Sequence, residues 1–373
     1  MQESSPAAEN NALIEPLLLW FRRTARDLPW RRTYDPYHVW ISEIMLQQTQ
    51  MDRGVVYFQR WIARFPSVRA VAEADQQEIL KYWEGLGYYA RARNLHKAAK
   101  VIADQFNGQV PCDYQQLLTL PGIGPYTAAA IASVAGNQDV AVVDANVTRV
   151  YARFFDIDLP VKESLTQKRI ATMARELLPS GKARLYNQAL MDLGGLVCLP
   201  KNPRCEVCPV ASLCRGKQAG AIAERPVIGP GKKIITVEKV AGIIRQGDRI
   251  FIQQRPPKAV WGGLWEFPGG ELQQGGVPET EIVRQILLET GFTVRVILPV
   301  TTVIHHYTRY KIVLHSFLCE LLGQNTQPVL HSVVDSRWIV PTELDQYAFP
   351  AGPRKILEYL KAISPCLFES LSS

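Results

Sequence analysis

The 373-residue sequence predicts two domains, an all-α domain followed by a smaller α+β domain. Three observations carry that expectation. The length is about twice the roughly 100–200 residues of one domain. From about Ala12 to Leu213 apolar residues recur at helical three- and four-residue spacings, whereas beyond Cys214 they come in short strand-like runs. Between the two patterns lies GKQAGAIAERPVIGPGKK, residues 216–233, whose small, Gly/Pro and basic residues read as a linker. The expected division is a flexible N-terminus over 1–11, a helical domain over 12–215, the linker over 216–233, an α+β domain over 234–365 and a tail over 366–373.

The runs Tyr37–Phe65, Gln76–Phe106 and Tyr186–Val197 carry the helical period, with short Pro/Gly breaks between such runs. Strands are expected over Ile234–Ile244, Arg249–Gln254, Val294–Ile304, Tyr310–Leu322 and Ser336–Ile339, with one helix, Pro278–Thr290, among them.

Composition narrows the function. With 47% hydrophobic and 21% charged residues, 25 Gly and 25 Pro, usage is ordinary globular. Collagen-like, coiled-coil and mostly disordered chains are excluded. The net charge of +7 suits a nucleic-acid binder or an enzyme of anionic substrates, although many proteins of neither kind share it. The longest small-apolar stretch, Ala128–Ala135, is broken by Ser133, so no membrane segment is expected. The start, MQESSPAAEN, has neither the basic nor the apolar region of a secretory signal. Seven cysteines, four of them between Cys198 and Cys214, point to a cytoplasmic protein with a clustered metal or iron–sulfur site.

Four motifs carry chemistry. A helix over Tyr114–Leu118 leads through LPGIGPYTA, Leu120–Ala128, into another helix. Gly122 and Gly124 let the backbone approach a ligand, and the second helix offers unpaired N–H groups to a phosphate. Pro-Gly-x-Gly between two helices makes a helix–hairpin–helix, which grips DNA backbone without reading sequence; an isolated G-x-G would be a plain turn. Second, Cys198, Cys205, Cys208 and Cys214 contain one close pair rather than two, which favours one 4Fe–4S cluster over structural zinc. Lys201, Arg204, Arg215 and Lys217 around them would face phosphates. Cys112, Cys319 and Cys366 show no such spacing and read as core or surface thiols.

Third, Glu43 falls between Val39 and Trp40 on the wheel of a helix that is apolar over most of its circumference, WISEIMLQQTQ. A buried carboxyl there keeps its proton near neutral pH, as a general acid must; a partly exposed or salt-bridged glutamate is the other reading. Fourth, in VVDANVTRV, Asp144 ends an apolar run, and Asn146 and Thr148 are able to cap the next helix. Asp144 is either a helix N-cap or a second, ionised carboxylate facing a cation-like transition state.

Together these motifs resemble the endonuclease III superfamily of DNA glycosylases, most closely the adenine-specific MutY type, over about residues 12–360. DLPWR, SEIMLQQT, WEGLGYYARARNL, LPGIGPYTA, VDANVTRV, MDLGGLVC and the cysteine spacing fall in the family's order. The resemblance implies a helix–hairpin–helix glycosylase fold with an iron–sulfur loop over 198–214. It implies excision of adenine facing 8-oxoguanine or guanine in double-stranded DNA, by a monomer in a bacterial cytosol with no membrane partner. Glu43 would protonate adenine, Asp144 would stabilise the oxocarbenium-like sugar, and Tyr126 would assist between them. Bifunctional relatives carry lysine where Tyr126 stands, so the resemblance implies a monofunctional enzyme. Trp30, Arg31 and Gln188 match adenine-pocket positions. Gln48, Thr49, Leu86 and Tyr88 match the group that wedges into the stack beside the lesion. Ala145 departs from the family's usual glycine.

The C-terminal domain resembles a Nudix fold. With Gly270 and Arg284 in register with the box G-x5-E-x7-R-E-U-x-E-E-x-G, three acids are replaced by Gly276, Gln285 and Leu288, and only Glu289 remains. No magnesium binding or nucleotide hydrolysis is expected. The MutY resemblance implies recognition of 8-oxoguanine instead, with Tyr307, Thr308 and Arg309 in place of a Phe-Ser-His loop. Rival readings are a thymine-mismatch glycosylase, which normally lacks the Nudix-like domain, and a non-catalytic damage-binding protein, which would have lost Glu43 or Asp144.

Overall fold

The computed structural model describes residues 6–229, 233–323 and 326–363, with side chains from residue 12 to residue 362. It divides into two compact units, Met1–Glu73 with Asn94–Gly231, and Ala74–Arg93 with Lys232–Ser373. Residues 74–93, inside the stretch expected as one helical domain over 12–215, cluster by contacts with the second unit. The helix α1, Pro6–Thr24, also starts inside the stretch expected to be flexible, where Ala7, Ala8 and Glu9 favour helix. Residues 1–5, the expected tail 366–373 and Cys366 lie outside the described residues.

The first unit is helical throughout: α1, α2 (Pro29–Thr33), α3 (Pro36–Leu46), α4 (Met51–Arg64) and α5 (Val68–Glu73) precede the excursion into the second unit. After α6 (Gln76–Trp83), which belongs to the second unit, α7 (Ala90–Gln105) starts in that unit and continues in the first, followed there by α8 (Tyr114–Leu118), α9 (Pro125–Val134), α10 (Ala145–Phe154), α11 (Ser164–Glu176), α12 (Ala183–Leu196) and α13 (Arg215–Gln218). The run expected over Tyr37–Phe65 breaks at residues 47–50, where Gln48 takes φ 59°. The run over Gln76–Phe106 breaks between α6 and α7 at Gly85, Gly87 and Tyr88, all at positive φ.

Local chemistry starts the central helices. Asp35 caps α3, accepting from the Tyr37 and His38 N–H groups at 2.8 and 3.2 Å, with Pro36 in the first turn. Every residue from Val39 to Met45 in α3 is buried, so this helix is enclosed on all sides. The Ala-rich α9 packs on α3, α8 and α12, and its small side chains allow close approach. Leu17, Leu18 and Phe21 of α1 join Tyr151, Tyr186 and Leu190 in a core beneath α10 and α12. The expected linker is partly packed here: Gly216 lies against the Arg153 carbonyl, and the Val161 N–H donates to the Val227 carbonyl at 3.1 Å.

The second unit is a seven-stranded sheet of order β3-β2-β1-β6-β5, with β4 on β1 and β7 on β2. Its strands are β1 (Ile235–Gln246), β2 (Arg249–Gln254), β3 (Trp265–Glu266), β4 (Gly269–Glu271), β5 (Val294–Tyr307), β6 (Tyr310–Leu321) and β7 (Asp335–Ile339). β1 and β6 run parallel and the other pairs antiparallel. Strand alternation serves two cores. Ile250 and Ile252 of β2 join Ile356, Leu357 and Leu360 on one face, while Phe251 joins Ile282 and Ile286 on the other. Helix α14, Pro278–Thr290, has the expected bounds, ended by Gly291 at φ 71°. A further helix, α15 (Ala351–Ile363), was absent from the expected set. Pro350, Gly352 and Pro353 read as breakers, yet proline is tolerated in a helix's first turn.

Candidate functional site

Helices α3, α9 and α10 supply three groups to one site in the first unit. Enclosure of α3 leaves Glu43 only 7% exposed. The Tyr126 hydroxyl, from the first turn of α9, donates to Glu43 Oε2 at 2.9 Å. Burial raises the Glu43 carboxyl to about 7; the Tyr126 bond and the Arg31 charge oppose that rise, and the Asp144 charge adds to it. Burial, then the charges of Glu43 and Asp144, push Tyr126 well above its ordinary value, so it stays a neutral donor.

Asp144 caps α10. Its Oδ1 accepts from the Val147 N–H at 2.6 Å, and its Oδ2 from Asn146 Nδ2 at 2.8 Å. The two readings of Asp144 are therefore compatible: the cap aims a carboxylate, and the site feels its charge. Asn146, expected as able to cap this helix, lies inside α10 instead: it holds the Asp144 carboxylate while its own Oδ1 accepts from Arg149 Nη2 at 2.8 Å.

Trp30 is buried edge-to-face on Phe58, with ring centroids 5.1 Å apart. Arg31 binds Asp192 in bidentate fashion at 2.7 and 2.9 Å, and Arg26 binds the same carboxylate. Asp192 is fully buried; burial alone would raise its pKa, but the two guanidiniums hold it below the ordinary value. Sequence reasoning missed Asp192, although it lies in the quoted MDLGGLVC segment. Gln188 is 2% exposed; its Nε2 donates to the Arg184 carbonyl at 2.9 Å and its Oε1 is buried without a partner.

In the hairpin, Gly122 has φ 76° and a Cβ there would lie 2.5 Å from Asn94, so glycine is required by conformation and space. Gly124 caps α9, and a Cβ there would meet nothing within 4 Å. Its bareness leaves the first-turn N–H groups of α9 open to a ligand. In the loop after α3, Gln48 is left-handed and the Thr49 N–H donates to the Leu46 carbonyl at 3.2 Å.

The remaining candidates belong to the second unit. Leu86 is 7% exposed, and the Tyr88 ring lies 6.1 Å from that of Tyr307. Tyr307 and Tyr310 are the last pair of the β5–β6 hairpin, whose two-residue turn is Thr308-Arg309. Thr308 takes φ 53°, an unfavourable conformation for a β-branched residue, and the Arg309 guanidinium lies over Tyr310. In α14, Glu289 is held inside the unit, accepting from the Gly269 N–H and from Gln253 Nε2 at 3.0 and 2.9 Å. Arg284 and Gln285 both bond Glu281.

Cys198, Cys205, Cys208 and Cys214 line one cavity, walled by Val150, Phe154, Leu193 and Val210. Four soft sulfur donors around an apolar space suit an iron–sulfur cluster. Arg153, 3% exposed, ties the loop down with bonds to the carbonyls of Leu199, Pro200 and Arg225.

Three family descriptions match the chain. They are a HhH-GPD superfamily base excision DNA repair protein over residues 41–177, an iron-sulfur binding domain of endonuclease III over 198–214, and a NUDIX domain over 240–359. The adenine DNA glycosylase of Rattus norvegicus is 30% identical over 410 residues, covering 94% of this chain and 78% of its own. That of Mycolicibacterium smegmatis is 41% identical over 233 residues, covering 62% of this chain and 75% of its own. Among solved structures, a thermostable thymine-DNA glycosylase matches with a TM-score of 0.53 at 30% identity, covering 58% of this chain and all of the other. An endonuclease III–DNA complex shares the fold, with a TM-score of 0.50 at 21% identity over 58% of this chain and 99% of the other.

Proposed function

We propose that this chain, which belongs to the adenine DNA glycosylase family, hydrolyses adenine from duplexes in which it faces 8-oxoguanine or guanine, leaving an abasic site. It is an adenine-specific N-glycosylase of base excision repair that carries a 4Fe–4S cluster. The observation that carries the mechanism is the buried Glu43, bonded by the Tyr126 hydroxyl at 2.9 Å, its carboxyl raised by burial to about 7 with the Asp144 charge adding to the rise.

The adenine is flipped out of the stack into the space near Trp30, Arg31 and Gln188. The unpartnered Gln188 Oε1 is an acceptor for the exocyclic amino group. Glu43 gives its proton to N7, so the bond from N9 to the sugar breaks with its electron pair leaving on a neutral base. The sugar becomes oxocarbenium-like, and the Asp144 carboxylate stabilises it until water adds to the same carbon and passes a proton back to Glu43, which restores the acid. Tyr126 orients the acid. Having no amine, it forms no Schiff base with the sugar.

Cys198, Cys205, Cys208 and Cys214 would hold the cluster, which cross-links the loop when bound. The second unit, with Tyr307, Thr308 and Arg309 on its hairpin, would read 8-oxoguanine. The internal bonds of Glu289 support a role other than nucleotide hydrolysis.

The test uses end-labelled duplexes carrying A:8-oxoguanine, A:G, T:G and A:T. Strand cleavage is expected only after alkali, at adenine, and fastest opposite 8-oxoguanine. Nicking without alkali, or trapping by borohydride, overturns the monofunctional assignment; excision at T:G moves the pocket to thymine. Separately, Cys205→Ala is expected to lose most of the roughly four irons per chain and at least about tenfold in DNA affinity. Undiminished iron overturns the ligand assignment.

A further inference from the structure

The segment between α6 and α7 holds three left-handed residues within four positions: Gly85, Gly87 and Tyr88, at φ 95°, 72° and 48°. Two are glycines, which adopt that conformation freely; Tyr88 does not, so its pose must be imposed by its surroundings. One side chain reaches three consecutive residues of this loop, Leu86, Gly87 and Tyr88. Arg91 Nη2 donates to the carbonyls of Leu86 and Gly87, both at 3.1 Å. The same guanidinium lies 5.2 Å from the Trp83 ring centroid and 5.6 Å from that of Tyr88. Trp83 is fully buried and bonds the Gly87 carbonyl through Nε1 at 3.0 Å, so the stack rests on a fixed floor.

Helix stability does not explain Arg91. It is the second residue of α7, at the positive end of the helix dipole, where a cation is unfavourable and no acidic residue shares the first turn. Burial also penalises its charge. The position disfavours arginine electrostatically, whereas the loop uses its flat face and its fork of donors together. Lysine offers neither a plane nor a fork.

We propose that Arg91 is the positioning residue of Tyr88, holding that ring in the strained pose from which it enters the base stack beside the mispair. This rests on the reading of Tyr88 as a wedge. Arg91 thus acts on mispair recognition through Tyr88 and makes no phosphate contact of its own.

A double-mutant cycle on the full, cluster-loaded protein tests this, with thermal melting confirming that each variant folds. The duplex carries 2′-fluoro-2′-deoxyadenosine, which resists cleavage, opposite 8-oxoguanine, with 2-aminopurine beside the lesion to report unstacking. Tyr88→Ala is expected to weaken binding about tenfold and to remove the 2-aminopurine signal. Arg91→Ala and Arg91→Lys should each weaken binding about fivefold and reduce the same signal, and Tyr88→Ala/Arg91→Ala should match Tyr88→Ala alone. Multiplying losses, about fiftyfold in the double variant, overturn the proposal, as does full rescue by lysine. A salt dependence reduced by about one phosphate contact in Arg91→Ala would instead make it a direct DNA ligand. Normal binding and signal in Tyr88→Ala overturn the wedge reading itself and the proposal with it.

Discussion

Glu43→Gln is expected to lower the single-turnover rate of adenine excision by about a thousandfold or more, within the ~10²–10⁴ range of general acids, while mispair binding survives. Glutamine keeps the shape of the protonated carboxyl and still accepts from Tyr126, but it has no proton to give. Because the carboxyl titrates at about 7, the wild-type rate should fall tenfold per pH unit above that point, and the variant's residual rate should lose this limb. The fold loses stability in the same direction. A carboxyl raised in the folded state favours unfolding once the unfolded chain can ionise. Stability is therefore lost as pH rises from the ordinary carboxyl value of 4.5 to about 7. The loss is on the order of 3 kcal/mol. Glu43→Gln removes it, so the inactive variant should melt several degrees higher than wild type at pH 8 and no higher at pH 4. Equal melting at both pH values would mean that Glu43 is not buried in its acid form.

Asp144→Asn is expected to cost about 10²–10³ in rate with little loss of fold. Asparagine caps helices as well as aspartate, so the bond from the Val147 N–H persists. Its amide would face Asn146 Nδ2, now 2.8 Å from Oδ2, and one side chain must turn, at a cost of about 1 kcal/mol. A second effect separates charge from capping. The Asp144 charge raises the Glu43 carboxyl, so removing it should shift the alkaline limb of the rate profile to lower pH. A reduced rate with an unmoved limb would show that the two carboxyls do not sense each other.

The parts of the fold written in local patterns were legible. Helix α14 is recognisable from an apolar stripe between Pro278 and Gly291; the helix pattern around Glu43 shows a largely apolar wheel but favours a partly exposed or salt-bridged glutamate, a reading that its 7% exposure replaces. Features that depend on distant partners were not. Asp192 looks like an exposed helix position until Arg26 and Arg31, more than 160 residues earlier, neutralise it. Asn146 reads as a cap because nothing local says that its amide holds Asp144. Helix α15 hid behind prolines that also signal a loop, and only the Ile356, Leu357 and Leu360 face buried against the sheet distinguishes the two.

The membership of residues 74–93 in the second unit separates the order of synthesis from the order of assembly. Glu84 is completed by the Phe349 N–H and by Arg354, 265 and 270 residues later, and Gln77 by Trp265 and Gly263. At about 5–20 residues per second, this segment leaves the ribosome tens of seconds before its partners exist. A chain cut back to its helical part would carry it without those partners permanently: Lys81 and Glu84 would keep their 2.8 Å ion pair, but Glu84 would lose the Phe349 N–H and Arg354, Lys81 the Tyr347 carbonyl, and Leu80 its neighbour Gly263. Loss of residues 232–373 by a single deletion therefore also strips partners from residues 74–93.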